Sequence, residues 1–252
     1  MSFLEVSNLT IKFGATTVID DVSFALEHDG RLGLIGASGS GKSVTSLAIA
    51  GLLSETANIT GSIRLDGQEL VGLRERDYRE LRGNKLSMIF QEPMTALDPT
   101  MKVGRQIAEV IALHDERTGK RTEVEQALGT VGLQDPARVA DSYPHELSGG
   151  QRQRALIAMA IINRPGLVIC DEPTTALDVI VQQQILELLD EVLTDRATLF
   201  ISHDLAVVRE ICSEVVVMQG GRVVEAGSID DVITNPRHEY TAALVEAARG
   251  TL

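Results

Sequence analysis

The sequence has no Trp, and Phe and Tyr bring the aromatic share to only 3% of its 252 residues. Base-stacking platforms and large aromatic anchors are therefore not expected. Its two cysteines, Cys170 and Cys212, are too few for a disulfide framework or a four-ligand metal site. Two small buried residues in a reducing compartment are the expectation. Positive charge is in deficit, 23 Lys+Arg against 36 Asp+Glu for a net charge of −13. That balance argues against non-specific nucleic-acid binding, which needs a basic surface to displace counterions. Long apolar runs are missing too. The longest, Ala155 to Ile162, falls far short of the ~20 residues of a spanning helix. No basic patch followed by an apolar stretch opens the chain, so no signal peptide is expected. What is present, 44% hydrophobic and 23% charged residues, suffices for a packed core and excludes a disordered or collagen-like chain.

The chain shows no internal repeat or linker-like tract, and its length suits a single domain with an insertion. Leu4 to Phe13, Thr17 to Leu26 and Ser62 to Leu70 alternate as strands do, broken by Gly. Arg31 to Ile35 is a short apolar strand, residues 73–82 an amphipathic helix, and Leu86 to Phe90 another strand. In the middle, Val103, Ile107, Val110, Ile111 and His114 recur at helical spacing. A second helix is expected from Thr122, with Glu125 completing a capping box, and a third from Ser148, carrying Leu156, Met159 and Ile162 inward, to a stop before Pro165. Beyond Pro165, Leu167 to Cys170 is a continuous apolar run, as in a strand buried on both faces. A helix after Asp178, strand 198–201, helix 204–212 and strand 215–218 follow. This alternation predicts an α/β fold: a largely parallel sheet with an N-terminal antiparallel β region and an inserted helical subdomain. The expected division is one domain, residues 1–91 and 164–252 forming the core and 92–163 the helical subdomain.

Gly36-Ala37-Ser38-Gly39-Ser40-Gly41-Lys42-Ser43 fits the pattern G-x-x-x-x-G-K-[ST] between a strand and a helix. Glycines at these places allow a loop whose N–H groups converge on phosphate oxygens, and the helix N-terminus adds partial positive charge. Gly36, Ser38, Gly39, Ser40, Gly41, Lys42, Ser43 and Val44 are the candidate phosphate contacts, Lys42 as a counter-charge and Ser43 as a Mg²⁺ ligand. Strand 167–170 runs into Asp171 and Glu172. Adjacent strand residues point to opposite sides, so the two carboxylates are suited to different tasks. Asp171 suits a Mg²⁺ shell, and Glu172 suits polarising a water that attacks the γ-phosphate.

Further motifs carry a resemblance. Leu147-Ser148-Gly149-Gly150-Gln151 resembles the signature sequence of ATP-binding cassette (ABC) ATPases, a branch of the P-loop NTPases with a RecA-like core. Gln91 resembles their Q-loop, Thr175-Ala176-Leu177-Asp178 their D-loop, and His203 their switch histidine. The resemblance implies that Gln91, Glu172 and His203 serve hydrolysis and that Ser43, Gln91 and Asp171 hold Mg²⁺. It also implies that Phe13 stacks on adenine, and that Ser148, Gly149, Gly150, Gln151 and Asp178 meet ATP held by a second, facing cassette. Physically, Ser148 is a natural helix N-cap, and the two glycines leave the first-turn amides unobstructed.

Residues 91–99, Val103 to Ile107, Tyr143 to Glu146 and Asn235-Pro236-Arg237-His238-Glu239-Tyr240-Thr241 are similar to the ATPases of bacterial peptide and nickel importers. Asp98 departs from the usual Asn and Cys170 from a more usual small or apolar residue, neither in the phosphate chemistry. The absence of a cysteine-bearing tail before Leu252 shifts the expectation toward short members such as nickel or metallophore subunits, with peptide transport kept open. Implied partners are transmembrane permeases, a second cassette, identical or not, and indirectly a substrate-binding protein. The implied place is peripheral, on the cytoplasmic face of the inner membrane. The alternatives are a soluble ABC-type ATPase acting on nucleic acid or ribosomes, and a cassette that binds ATP without hydrolysing it. A single cassette, the short spacing of Lys42 and Asp171 and the acidic balance count against the first. Intact Lys42, Glu172, Ser148 and His203 count against the second.

Overall fold

The computed structural model describes residues 2–91, 96–114, 120–175 and 177–248. In chain order the strands are β1 (Ser2–Phe13), β2 (Thr16–Glu27), β3 (Arg31–Ile35), β4 (Ala57–Leu65), β5 (Gln68–Glu69), β6 (Leu86–Ile89), β7 (Leu167–Asp171), β8 (Ala197–Ser202), β9 (Glu214–Gln219) and β10 (Arg222–Ser228). The α-helices are α1 (Lys42–Ile49), α2 (Glu75–Leu81), α3 (Val103–Ala112), α4 (Arg121–Thr130), α5 (Pro136–Asp141), α6 (Gly149–Ile161), α7 (Val179–Val192), α8 (Leu205–Ile211), α9 (Ile229–Thr234) and α10 (Glu239–Ala248). They fall into two compact units, Met1–Arg79 with Asp195–Leu252, and Glu80–Thr194.

The first unit holds an antiparallel sheet in the order β2-β1-β4-β5. Its strands alternate buried and exposed side chains, so one face packs and the other meets solvent. The expected strand 62–70 is in fact a tight hairpin. Asp66 (φ 49) and Gly67 (φ 76) both take left-handed conformations and turn the chain between β4 and β5, as a two-residue hairpin loop requires. The same unit holds a parallel core in which β3 pairs with β8 on one side and β9 on the other. All six side chains of β8 are buried, the pattern of a strand covered on both faces. β10 closes that sheet by pairing antiparallel with β9 through the Gly220-Gly221 turn. Burial pushes the Cys212 thiol up to about 12, against a lowering effect from Arg31, so it stays protonated at neutral pH. Neither cysteine forms a disulfide.

The second unit pairs β6 and β7 in parallel, and β7 is buried throughout. Its other described elements are helices. α6 buries Ala155, Leu156, Ile157, Ala158, Ala160 and Ile161. Met159 and Ile162, expected inward, are only half-buried because the packed face is centred elsewhere. The start of α4 also differs from expectation. Lys120, not Thr122, is its cap position, and Glu123 accepts from the Lys120 N–H at 3.3 Å. Glu125 is engaged instead by the Arg121 guanidinium at 2.7 Å, which also binds Asp141 on α5.

Candidate functional site

In the first unit, β3 delivers the chain into the glycine-rich loop and α1 carries it away. A Cβ at Gly36 would lie 2.2 Å from the Met218 carbonyl oxygen and 2.6 Å from Ser40 Oγ, so only glycine fits. Gly41 (φ 105) opens α1, and a Cβ there would meet Ile19 of β2 at 2.4 Å. Lys42 is buried, and its Nζ donates to the Gly36 carbonyl at 2.7 Å and the Ala37 carbonyl at 3.1 Å. Ser40 Oγ is buried without a hydrogen-bond partner among the described residues. Ser38, Gly39 and Ser43 are exposed and Val44 half-buried. A loop with backbone walls, a buried ammonium and an unsatisfied hydroxyl fits a polyphosphate.

The register of the parallel core places a second candidate. Ile35 is level with Ser202 of β8 and with Val217 of β9. Gly36 and His203 therefore leave the same end of adjacent strands, the end at which open α/β sheets bind ligands. His203 is exposed there, and the next residue, Asp204, caps α8 through the Ala206 N–H at 2.9 Å. Phe13 is half-buried at the end of the β1–β2 hairpin, opposite Thr16.

In the second unit, Ile89 is level with Cys170, so Gln91 and Glu172 both follow paired strand ends. Gln91 Nε2 donates to Glu172 Oε2 at 3.2 Å, and Thr175 Oγ1 donates to the same oxygen at 2.9 Å. Glu172 itself is left-handed (φ 47), a conformation that costs a non-glycine residue on the order of 1–2 kcal/mol. Its carboxylate is thus held in one orientation from two sides. Asp171 is buried at the end of β7. Thr175 has a place in the site that the sequence reading did not give it, although it lies only three residues past Glu172.

Ser148 caps α6: its Oγ accepts from the Gln151 N–H at 3.3 Å, and Gln151 Oε1 accepts from the Ser148 N–H at 3.0 Å. Gly150 has a packing role as well, since a Cβ there would touch Val181 of α7 at 3.0 Å. Asp178 caps α7 through the Val181 N–H at 3.0 Å. Ser148 to Gln151, Leu177 and Asp178 line a groove of about 750 Å³ with Arg138 and Arg154. Downstream of Gln91, buried Gln106 accepts from the Asp98 N–H at 2.9 Å and donates to the carbonyls of Asp98 and Met101. Glu92, Pro93, Met94 and Thr95 of the importer-like stretch, and Ala176 of the D-loop-like one, lie outside the described residues.

Residues 19–175 match the family described as ABC transporter. The chain is 48% identical to the Peptidoglycan transport ATP-binding protein YejF of Agrobacterium fabrum, over 97% of this chain and 46% of that protein. It is 44% identical to the Oligopeptide transport ATP-binding protein OppD of Haemophilus influenzae, over 97% of this chain and 78% of that protein. The chain thus spans less than half of the first relative and most of the second. Among solved structures, cbiO1 of Clostridium perfringens, part of the ABC transporter complex cbiONQ, aligns with a TM-score of 0.79 at 25% identity, over 93% of this chain and 91% of that one. The dimeric ATP-binding cassette MJ0796 bound to ADP and Pi aligns with a TM-score of 0.78 at 24% identity, over 90% of this chain and 98% of that one. The fold is that of the nucleotide-binding cassettes, a P-loop α/β fold.

Proposed function

Because the chain belongs to the ABC transporter family, we propose that it is the ATP-hydrolysing subunit that powers a peptide importer. The phosphate loop carries the reading: Gly36 is walled by backbone and Lys42 is buried behind it. Peptide is favoured over nickel as the cargo class because the relatives matched over nearly the whole chain bear peptide and peptidoglycan names. In this reading Lys42 turns its ammonium from the two loop carbonyls to the phosphates, and Ser38 to Val44 donate N–H groups to them. Ser43, Gln91 and Asp171 would hold Mg²⁺, and the ion when bound would neutralise charge that develops on the phosphates. Glu172, oriented by Gln91 and Thr175, accepts a proton from the attacking water, and His203 positions that water. Phe13 stacks on the base.

The rest of the assembly follows the same reading. Ser148 to Gln151 and Asp178 face ATP bound to a second cassette. The helical region 92–163, tied to the catalytic centre through Gln91, docks a permease on the cytoplasmic face of the membrane. No helix among the described residues is long and apolar enough to cross a membrane. The spanning role is given in this reading to the permeases. A substrate-binding protein then acts on the other side.

Glu172→Gln tests the reading. A general base contributes about 10²–10⁴-fold, so turnover in the assembled transporter should fall by that order while ATP binding is kept. Turnover equal to the parent's would remove Glu172 from the chemistry.

A further inference from the structure

One motif noted in the sequence, Arg237-His238-Glu239-Tyr240, has no task in the catalytic scheme. In the first unit it forms a chain of hydrogen bonds that ends on the phosphate loop. On β10 the Glu225 carboxylate accepts from the backbone N–H groups of Arg237 at 2.8 Å and His238 at 3.0 Å. Two amides on one carboxylate fix the approach to α10 with charge-assisted bonds. The Arg237 guanidinium adds a bond to Asp231 of α9 at 3.2 Å. His238 Nδ1 accepts from the Tyr240 N–H at 3.1 Å, which secures the first turn of α10. From that turn the Tyr240 hydroxyl oxygen accepts from the Ala37 N–H at 2.7 Å.

The N–H of Ala37 and the carbonyl of Gly36 belong to one planar peptide unit. Tyr240 holds its N–H side, and Lys42 Nζ donates to its carbonyl at 2.7 Å on the other. The two bonds polarise each other through the same amide, and turning the plane would break both. We propose that Tyr240 is a positioning residue for the phosphate loop: through the Gly36–Ala37 peptide it fixes the shape of the loop, so that nucleotide affinity depends on the docking of α10. The proposal rests on the ATP-binding reading above for its consequence, but not for its geometry.

Tyr240→Phe removes only the hydroxyl. In nucleotide-free protein the Ala37 amide should exchange with solvent faster by about 2- to 12-fold, the worth of one neutral hydrogen bond. The Kd for Mg-ATP should rise by a similar factor, with saturated turnover unchanged. Glu225→Ala reaches the same peptide from the far end of the chain, so the double variant should bind ATP no more weakly than the weaker single one. Unchanged Ala37 exchange overturns the proposal, as does faster exchange with an unaltered Kd, or additivity of the two substitutions. The exchange measurement uses no nucleotide. Failure of the parent protein to bind ATP would therefore count against the ATPase reading, while the exchange rate still judges the bond.

Discussion

Two helices begin at glycines, and they begin in opposite ways. α1 starts from Gly41 in a left-handed conformation with no side-chain cap. α6 starts from Ser148 in extended backbone, with a reciprocal cap closed by Gln151. The first start is shaped from outside, by the Met218 carbonyl, Ile19 and Tyr240 around the loop. The second is shaped from within, by side chains three residues apart. A helix start built from its surroundings keeps its shape only while they hold, whereas one built locally keeps it independently. That difference suits a loop that encloses a phosphate and a helix end that is presented to another molecule.

The sharpest way to break this comparison is a methyl group in the loop before α1 and another at the start of α6. Gly36→Ala drives Cβ into backbone at 2.2 Å and should abolish nucleotide binding, whereas the nearest neighbour of a Cβ at Gly149 is 3.9 Å away. Gly149→Ala should therefore fold with a stability within about 0.5 kcal/mol of the parent. Nucleotide titration and thermal melting read both, and equal behaviour of the two variants would erase the distinction.

A smaller effect is expected from Lys42→Ala. Losing a charge-assisted contact to phosphate is worth roughly 1.5–3 kcal/mol, about a 10- to 150-fold weaker Kd by calorimetry. Unaltered affinity would mean that the loop binds without its buried ammonium. A smaller effect again belongs to the loss of the cap at the other start. Ser148→Ala removes the cap and should cost about 1 kcal/mol of stability, seen as a lower denaturation midpoint at constant slope. ATP affinity of the isolated chain should not move, since Ser148 is assigned to nucleotide on a second cassette.

The same contrast explains what the sequence could say. The α6 start was legible because Ser148 and Gln151 lie at capping-box spacing and bond to each other. Asp178 and Asp204 announced α7 and α8 for the same local reason. The phosphate loop was legible because its glycines and Lys42 stand at fixed spacing within the eight consecutive residues Gly36 to Ser43. The α4 start was misread because two acceptors, Glu123 and Glu125, both stand three residues after a polar residue. Long-range pairing decided between them: Arg121 binds Glu125 and Asp141, and Glu123 is left for the cap. Thr175 on Glu172 follows from the turn after β7, which no spacing rule specifies. The bond from Ala37 to Tyr240 spans 203 positions in the chain, beyond the reach of any local pattern.

The wall behind Gly36 has a consequence for the genetics of the loop. What excludes a side chain there is chiefly the carbonyl oxygen of Met218, which every amino acid carries. No second substitution at position 218 can make room, so damage at position 36 has no suppressor among its contacts on β9. At Gly150 the excluding atom is Cγ1 of Val181, a side-chain atom that a change to alanine removes. Drift through compensated pairs of substitutions is open at Gly150 in the second unit and closed at Gly36 in the first.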